Sequence, residues 1–229
     1  MIYLFDVDGT LTESRRPIDD KFKPLFEEFC ENNSVYIVTG SDRPKTIEQL
    51  GDIVYKVRKV YNCSGNDVWE NNKNVHRSNW KIGRLPRMFL IKCLAECEFD
   101  IRSGNHIEQR QGVVNFSIPG RNATWGERLA FKVWEAKNNH RVKIADAFNI
   151  MFPNLTAVVA GDTGIDIYPK GCDKSQILHE FDISNVMFFG DKTEKGGNDY
   201  EIAEAIKQGE GIVHEVCDWM DTWEVLKNL

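Results

Sequence analysis

Short apolar runs alternate with amphipathic stretches in the first part of the chain. The runs IYLF, SVYIV and VRKVYN are rich in β-branched and aromatic residues and are followed by polar residues, as buried strands are. Between them, FKPLFEEFCENN has apolar residues at helical spacing, and IEQLGDIV predicts a second helix that ends at Gly51. This order of strands and helices predicts a doubly wound α/β layer around a parallel sheet.

The pattern changes after the third predicted strand. DVWENNKNVHR predicts a hairpin with an Asn-rich turn. GVVNFSI, TAVVAG and TGIDIYP predict further strands, and helical spacing appears at 127–136 and 142–151. Strands joined by turns, together with two helices, predict an antiparallel α+β unit inserted into the first fold.

The α/β pattern resumes after Lys174. SQILHEF predicts a helix, VMFFGD a buried strand, DYEIAEAI a helix and GIVHEV a strand, with a last helix reaching Leu229. We therefore predict a Rossmann-like α/β core with a parallel sheet at 1–76 and 172–229. An inserted α+β cap domain is predicted at 77–171.

Composition and charge limit the classes of partner. The 229-residue chain is 41% hydrophobic and 28% charged, and its formal net charge of -6 disfavours adhesion to nucleic acid or anionic membranes. No apolar run is long enough to span a membrane, no leader pattern opens the sequence, and the six cysteines form no CxxC pair. We expect a cytoplasmic protein without nucleic-acid or membrane partners, in which a local basic cluster or a metal ion attracts any anionic ligand.

Polar side chains collect at the predicted carboxyl ends of the core strands, where open parallel sheets bind their ligands. They are Asp6 and Asp8 after the first strand, Thr39 and Ser41 after the second, Lys174 at the return to the core, and Asp191 after VMFFGD. Carboxylates in this position suit Mg²⁺, a hard cation that would relieve their repulsion. We assign four residues to the metal site: Asp6, Asp8, Asp191 and Asp199. Asp6 and Asp191 are expected to bind the ion directly, and Asp199 is expected to lie one shell farther out.

The same residue types suit phosphoryl transfer. A carboxylate beside the cation can accept a phosphoryl group, and a second carboxylate can carry protons to and from the leaving oxygen. Thr39, Ser41 and Lys174 would hold the non-bridging oxygens of the phosphoryl group.

Each of these residues also has an ordinary structural explanation. A DxDG quartet can form a turn, Thr39 can cap a helix, and a single lysine is more often a solvated surface residue. The strand before the two aspartates and the partners at later strand ends favour the catalytic interpretation.

Four short motifs resemble those of one superfamily. DVDGT, VTG, Lys174 and GDKTEKGGND follow the order of the four motifs of the haloacid dehalogenase superfamily, the first of which is DxDx[TV]. The resemblance covers both predicted core segments. It implies that Asp6 is the nucleophile and Asp8 the general acid and base.

Residues of the predicted cap resemble one particular family of this superfamily. Residues 107–131 resemble the cap of the eukaryotic-type phosphomannomutases, with their R-N-G strand, G-R-N-A turn and E-E-R-I helix start, and GIDIYPKGCDKS and FFGDKTEKGGNDYEI resemble two further stretches of that family. The resemblance implies a sugar phosphate substrate, mannose or glucose phosphate, and a homodimer formed through the cap. It also implies five substrate-binding residues: Arg15, Arg110, Arg121, Arg128 and Asp166.

The chemistry of arginine supports a phosphate-binding role for Arg110, Arg121 and Arg128 more strongly than their number does. Three arginines in so short a window are close to the number of basic residues that chance predicts, and all could be surface residues. Planar guanidinium groups nevertheless suit bidentate phosphate binding, and Arg121 follows Pro-Gly at a strand end. Three positions depart from the family, with Gly164 for Ser, Cys172 for Trp and Gln111 for Asn, and they leave the sugar preference open.

Three functions are compatible with these residues. A mutase that moves phosphate between C6 and C1 of mannose needs a hexose 1,6-bisphosphate activator and a distal phosphate site in the cap. A sugar-phosphate phosphatase would use the same core without that second site. A catalytically silent sugar-phosphate-binding protein would require neither a nucleophile nor a proton carrier. We rank the mutase first and the phosphatase second.

Overall fold

A computed structural model covers all 229 residues of the chain. The chain divides into two compact units, a core unit of Met1–Ser78 with Cys172–Leu229 and an inserted unit of Asn79–Gly171. The first boundary lies at 78 rather than the predicted 76, because the Ser78 amide donates to the Asn66 carbonyl at 2.8 Å and so keeps the end of the hairpin in the core unit.

Strands and helices are numbered in chain order. The strands are β1 Ile2–Phe5, β2 Ser34–Val38, β3 Lys59–Asn62, β4 Asp67–Glu70, β5 Lys73–Arg77, β6 Ile107–Gln109, β7 Val114–Ser117, β8 Leu155–Ala160, β9 Gly164–Pro169, β10 Val186–Gly190 and β11 Ile212–Glu215. The helices are α1 Phe22–Asn32, α2 Arg43–Leu50, α3 Arg84–Glu96, α4 Trp125–Asn138, α5 His140–Met151, α6 Tyr200–Gln208 and α7 Trp219–Leu226. No helix combines the length and the apolar character that a membrane span requires.

The core unit is built on one seven-stranded sheet with the order β11-β10-β1-β2-β3-β4-β5. The first five strands in this order are parallel, and the β4–β5 hairpin adds two antiparallel strands at one edge. Crossovers on both sides of β1 bring the ends of β1, β2 and β10 together, which is where doubly wound sheets bind ligands.

Successive side chains of the central strands point to opposite faces of the sheet and form two apolar layers. Phe5 and Phe189 stack with ring centroids 4.6 Å apart on the face covered by α1 and α7. Their neighbours Leu4 and Phe188 point to the other face, where they pack with Ile202 and other residues of α6. Because both faces are covered, these strands are apolar throughout, and polar side chains are left to the strand ends.

The inserted unit has a four-stranded antiparallel sheet with the order β6-β7-β9-β8. Phe116 and Ile165 are paired across β7 and β9 and pack with Leu90, Phe131 and Phe148 of α3, α4 and α5. Helices therefore cover one face of this sheet. Alternate residues point to the opposite face, which is the face that can carry polar groups.

Two elements differ from the predicted ones. The strand β6 was not predicted, since it has only three residues. SQILHEF forms a 3-10 helix, Lys174–Glu180, instead of the predicted α-helix. With three residues per turn, Lys174 and Ile177 share one face, and both side chains are buried.

Candidate active site

A buried lysine lies between two carboxylates at the end of the core sheet. Asp6 follows β1, and its amide donates to the Phe189 carbonyl at 3.0 Å, which fixes its backbone against β10. Lys174 Nζ is 2.7 Å from Asp6 Oδ1 and 2.6 Å from Asp199 Oδ1. The three side chains are almost entirely removed from solvent. The structure thus brings together the predicted nucleophile, the predicted lysine and one predicted metal residue.

Burial controls the electrostatics of this cluster. Desolvation and the nearby Asp199 charge raise the pKa of Asp6 to about 8, although Lys174 opposes the shift. Burial also acts to lower the pKa of Lys174, but the carboxylates of Asp199 and Asp6 outweigh it and the pKa is raised. The cluster therefore has more negative charge than Lys174 neutralises.

The carboxylate oxygens of this cluster fit a hard divalent cation. One oxygen each of Asp6, Asp191 and Asp199 lies within 4.8 Å of the others. Asp191 Oδ1 is buried without a hydrogen-bond partner, as expected of an atom that has a metal to bind. The backbone at Gly9 has φ +83°, and a Cβ there would lie 2.2 Å from Asp191 Oδ2. Glycine is therefore required beside the carboxylates, which are ligands that Mg²⁺ prefers.

The Asp8 side chain lies outside this group of oxygens. Asp8 Oδ1 accepts hydrogen bonds from the Arg15 amide at 2.5 Å and from Gln49 Nε2 at 2.9 Å. The geometry thus gives no support to the Asp8 carboxylate as a metal ligand and leaves it available as a proton carrier. Asp199, expected one shell farther out, lies instead among the grouped oxygens.

Thr39 and Ser41 lie together at the end of β2. Thr39 is buried, its amide donates to the Tyr61 carbonyl at 2.9 Å, and its hydroxyl oxygen accepts from the Ser41 amide at 3.1 Å. Ser41 is half-buried. Asp42 then caps α2 by accepting from the Lys45 amide, so the turn after Ser41 is fixed by the start of the helix.

A row of polar residues crosses the face of the inserted sheet that the helices do not cover. Glu108 is paired with Asn115, and Asn115 with Asp166, on three neighbouring strands, so their side chains share one face. Asn115 Nδ2 donates to Asp166 Oδ1 at 2.6 Å. Burial raises the pKa of Asp166, while the charges of Arg110 and Arg121 oppose that shift.

The three predicted arginines of the inserted unit lie at this row. Arg110 binds Glu108 Oε2 through Nε at 2.7 Å and Nη2 at 2.6 Å, and Arg121 Nε is 3.1 Å from the same oxygen. Arg128 donates from Nη2 to the Arg121 carbonyl at 2.9 Å and from Nη1 to Thr163 Oγ1 at 3.3 Å. Two guanidinium groups therefore meet at one carboxylate, and the third supports the backbone of the second.

Local sequence explains where Arg121 and Arg128 lie. Gly120 has φ +94°, and a Cβ there would lie 2.1 Å from the Gly104 carbonyl oxygen, so only glycine allows the turn before Arg121. Thr124 and Glu127 form a capping box that starts α4, which places Arg128 in its first turns.

Arg15 belongs to the core unit rather than to this row. It has φ 65° and an exposed side chain, and its amide binds Asp8. The structure therefore associates Arg15 with Asp8, the predicted acid and base. The other four predicted substrate-binding residues are grouped in the inserted unit: Arg110, Arg121, Arg128 and Asp166. The joint role of all five in substrate binding stays a prediction.

Sequence reasoning missed three polar residues of these sites, Gln49, Glu108 and Asn115. Glu108 lies two positions before Arg110, which places both on one face of a strand, but β6 itself was not predicted. Asn115 is the polar residue inside the predicted strand GVVNFSI. It also accounts for Gly164, because a Cβ at Gly164 would lie 2.6 Å from Asn115 Nδ2.

Solved structures with a similar fold define the class of fold. A haloacid dehalogenase-like hydrolase from Bacteroides thetaiotaomicron matches with a TM-score of 0.60, over 99% of this chain and 98% of that chain, at 12% identity. An IMP-nucleotidase from Plasmodium falciparum matches with a TM-score of 0.65, over 99% of this chain and 67% of that chain, at 15% identity. At such identities the likeness concerns the fold alone, and that fold is the one of the haloacid dehalogenase superfamily.

Sequence comparison identifies the family within this class. The family model described as eukaryotic phosphomannomutase matches residues 22–229. A phosphomannomutase from Dendrobium officinale is 35% identical, with 99% of this chain and 93% of the relative covered, and one from Saccharomyces cerevisiae is 32% identical, with 100% and 93% covered. The chain belongs to the eukaryotic phosphomannomutase family.

The ion pairs of Lys174 give the first prediction. Lys174→Met should lower the free energy of unfolding by about 3–5 kcal/mol, because it leaves two buried carboxylates without their cation. The loss should shrink as the pH is lowered, since the raised pKa of Asp6 lets its carboxylate take up a proton in the folded state. Urea unfolding in metal-free buffer at several pH values measures both effects.

Lys192→Met is the matched control for this prediction. Lys192 Nζ lies 3.1 Å from Asp191 Oδ2, but its side chain is 45% exposed. The control should therefore change the stability by about 1 kcal/mol or less. Equal losses in the two variants would show that burial of the Lys174 pair does not determine its effect.

Proposed function

We propose that this protein is a phosphomannomutase that interconverts mannose 6-phosphate and mannose 1-phosphate. The reaction would proceed through an aspartyl-phosphate on Asp6, with a hexose 1,6-bisphosphate as activator. Membership of the family supports this activity. The observation that carries it is the presence of two distinct charged sites, a carboxylate and lysine cluster in the core unit and an arginine row in the inserted unit.

Asp6 is the nucleophile in this proposal. Lys174 binds Asp6 Oδ1, which leaves Oδ2 to form the bond to phosphorus as the bond between phosphorus and the sugar oxygen breaks. Asp8 donates the proton that the leaving sugar oxygen requires, and later accepts one from the hydroxyl that is phosphorylated. Gln49 and the Arg15 amide hold the Asp8 carboxylate in place for both steps.

The remaining residues of the core unit handle charge. Mg²⁺, when bound by Asp6, Asp191 and Asp199, would supply the positive charge that stabilises the phosphoryl oxygens. Thr39 and Ser41, fixed to each other at the end of β2, would donate to the same oxygens. Lys174 keeps Asp6 and Asp199 oriented.

The inserted unit favours a mutase over a phosphatase. A mutase has to hold a second phosphate while the first is transferred, and Arg110, Arg121 and Arg128 are suited to that group. Asp166, held by Asn115, would accept hydrogen bonds from sugar hydroxyls. Arg15, also proposed as a substrate-binding residue, belongs to the core unit. Hydrolysis needs only the core site, so a phosphatase would leave this arginine row without a purpose.

A coupled assay tests the proposed function. Mannose 1-phosphate is supplied with a hexose 1,6-bisphosphate, and mannose 6-phosphate and free phosphate are followed together, with glucose 1-phosphate as a parallel substrate. We expect mannose 6-phosphate without a matching release of phosphate, and no turnover by Asp6→Asn. Free phosphate as the main product would instead make the protein a phosphatase.

The arginine row gives a prediction that separates these two activities. Arg121→Ala should lower mutase activity at least tenfold, because the loss of one partner in a desolvated charge pair costs about 2–5 kcal/mol and each decade corresponds to about 1.4 kcal/mol. Hydrolysis of acetyl phosphate, which has no second phosphate, should persist. Steady-state kinetics with both substrates measure the difference.

Arg87→Ala is the control, since Arg87 is an exposed arginine of the same unit. It should leave both activities near those of the wild type. If Arg121→Ala behaves like this control, the distal phosphate is bound elsewhere and the phosphatase becomes the better interpretation.

The carboxylate cluster predicts a requirement for Mg²⁺. Activity should disappear in excess EDTA and return with Mg²⁺, and Asp191→Ala should raise the required concentration by orders of magnitude. Independently of activity, Mg²⁺ at about 100 times its Kd should stabilise the wild type by about 2.7 kcal/mol, which thermal unfolding detects. Full activity in EDTA, or equal stabilisation of Asp191→Ala, would contradict the assignment.

We also propose a homodimer that forms through the inserted unit. Apolar side chains are exposed along α3, where Leu85 is 71%, Met88 53% and Ile91 50% accessible to solvent. A second copy would remove them from water, as is usual for exposed apolar patches. Light scattering of the wild type and of Met88→Glu decides the question, since a monomeric wild type would refute the dimer.

A cytoplasmic location completes the proposal, without nucleic-acid or membrane partners. All six cysteines are free thiols, which suits a reducing compartment. The net charge of -6 disfavours anionic polymers and surfaces. Cell fractionation tests the location.

A further inference from the structure

One carboxylate occupies the centre of the arginine row. Glu108 Oε2 accepts from Arg110 through Nε at 2.7 Å and lies 2.6 Å from Arg110 Nη2. The same oxygen is 3.1 Å from Arg121 Nε. A single oxygen thus binds nitrogens of two guanidinium groups, in the manner in which a phosphate oxygen would bind them.

The surroundings strengthen these contacts. Only 15% of the Arg110 side chain, 22% of Arg121 and 30% of Glu108 is exposed, so solvent screens the pairs less than it screens pairs on the open surface. Glu108 is paired with Asn115 in the sheet, so the backbone sets the face on which its side chain lies. The contacts with Arg110 and Arg121 then hold the carboxylate at the arginine row.

A phosphate that binds Arg110 and Arg121 must either displace this carboxylate or bind next to its negative charge. If it takes the same N–H groups, it displaces Glu108 Oε2. If it takes other N–H groups of the two side chains, it lies beside a negative charge in a partly desolvated place. Both cases weaken phosphate binding relative to an arginine pair without Glu108.

We propose that Glu108 competes with the substrate phosphate for the two arginines and so limits the affinity of the site. The inference rests on the proposed mutase function. In that function each phosphate of the bisphosphorylated sugar occupies the arginine row in turn, and the row has to release one before it accepts the other. An arginine pair without Glu108 would bind the intermediate more tightly in the ground state and slow its release.

A purely structural role for Glu108 predicts the opposite. If the carboxylate only holds Arg110 and Arg121 in place, its neutralisation should loosen both side chains and weaken phosphate binding. The two roles are therefore distinguished by the sign of the change in affinity, independently of its size.

Glu108→Gln in the full-length protein tests the inference, because it removes the charge and nearly preserves the shape. We expect the Kd for mannose 1-phosphate, measured by titration calorimetry, to fall at least tenfold. In the coupled assay, KM and kcat should both fall. Glu108→Asp, which keeps the charge, should retain a Kd close to that of the wild type, as expected if charge is the quantity that matters.

Two further variants make the result decisive. Glu96→Gln removes an exposed carboxylate of the same unit and should change neither quantity, which excludes an effect of net charge. Glu108→Ala provides a second neutral variant if Glu108→Gln folds poorly by circular dichroism. An unchanged or higher Kd in the folded neutral variants would overturn the inference.

The outcomes also separate this inference from the proposed function. A wild type that binds mannose 1-phosphate but does not isomerise it would refute the mutase, while the sign of the change in Kd would still decide the role of Glu108. An active wild type whose neutral variants bind no more tightly would leave the mutase intact and refute the competition.

Discussion

The core site depends on one buried cation. Lys174 is 2% exposed and lies within 2.7 Å of two carboxylates, and neither the lysine nor the carboxylates could be buried at this depth alone. Lys174 is also close in sequence to Cys172, where the chain re-enters the core unit after the insertion. The ion pairs therefore fix the start of the second core segment against Asp6 at the end of β1. The same contacts that join two distant parts of the sequence orient Asp6, the proposed nucleophile.

The two sheets place polar groups differently because they are covered differently. The parallel core sheet is buried on both faces, so its polar residues collect at the strand ends, where Asp6 and Asp191 follow β1 and β10. Helices cover one face of the inserted sheet, so a polar row can cross the other face in register through Glu108, Asn115 and Asp166. A strand-end site gathers a few residues around one point. A row across a sheet is broader, as a sugar with a phosphate requires.

Much of this organisation could be predicted from the sequence, and the rest depended on pairing that the sequence does not display. Apolar runs identified β1, β2 and β10, and the polar residues after β1 and β10 identified Asp6 and Asp191 as neighbours. Lys174 was placed beside them from its position at the return to the core. Glu108 and Asn115 were missed because their meeting depends on the register between β6 and β7, which a change of one residue would reverse. The position of Asp199 beside Lys174 likewise follows from a buried contact between distant segments.

The two sites carry net charges of opposite sign, and each contains one group that partly neutralises its charge. In the core unit, carboxylates outnumber the buried lysine, and the remaining negative charge favours a divalent cation. In the inserted unit, two arginines share one glutamate, which reduces the attraction for an anion without removing it. In the proposed mutase reaction, the core site transfers a phosphoryl group and the arginine row releases a sugar phosphate in every cycle. Maximal affinity at either site would stabilise the bound ground state, whereas turnover requires interactions that favour the transition state. Partial neutralisation by Lys174 and by Glu108 is therefore consistent with catalysis as well as with folding.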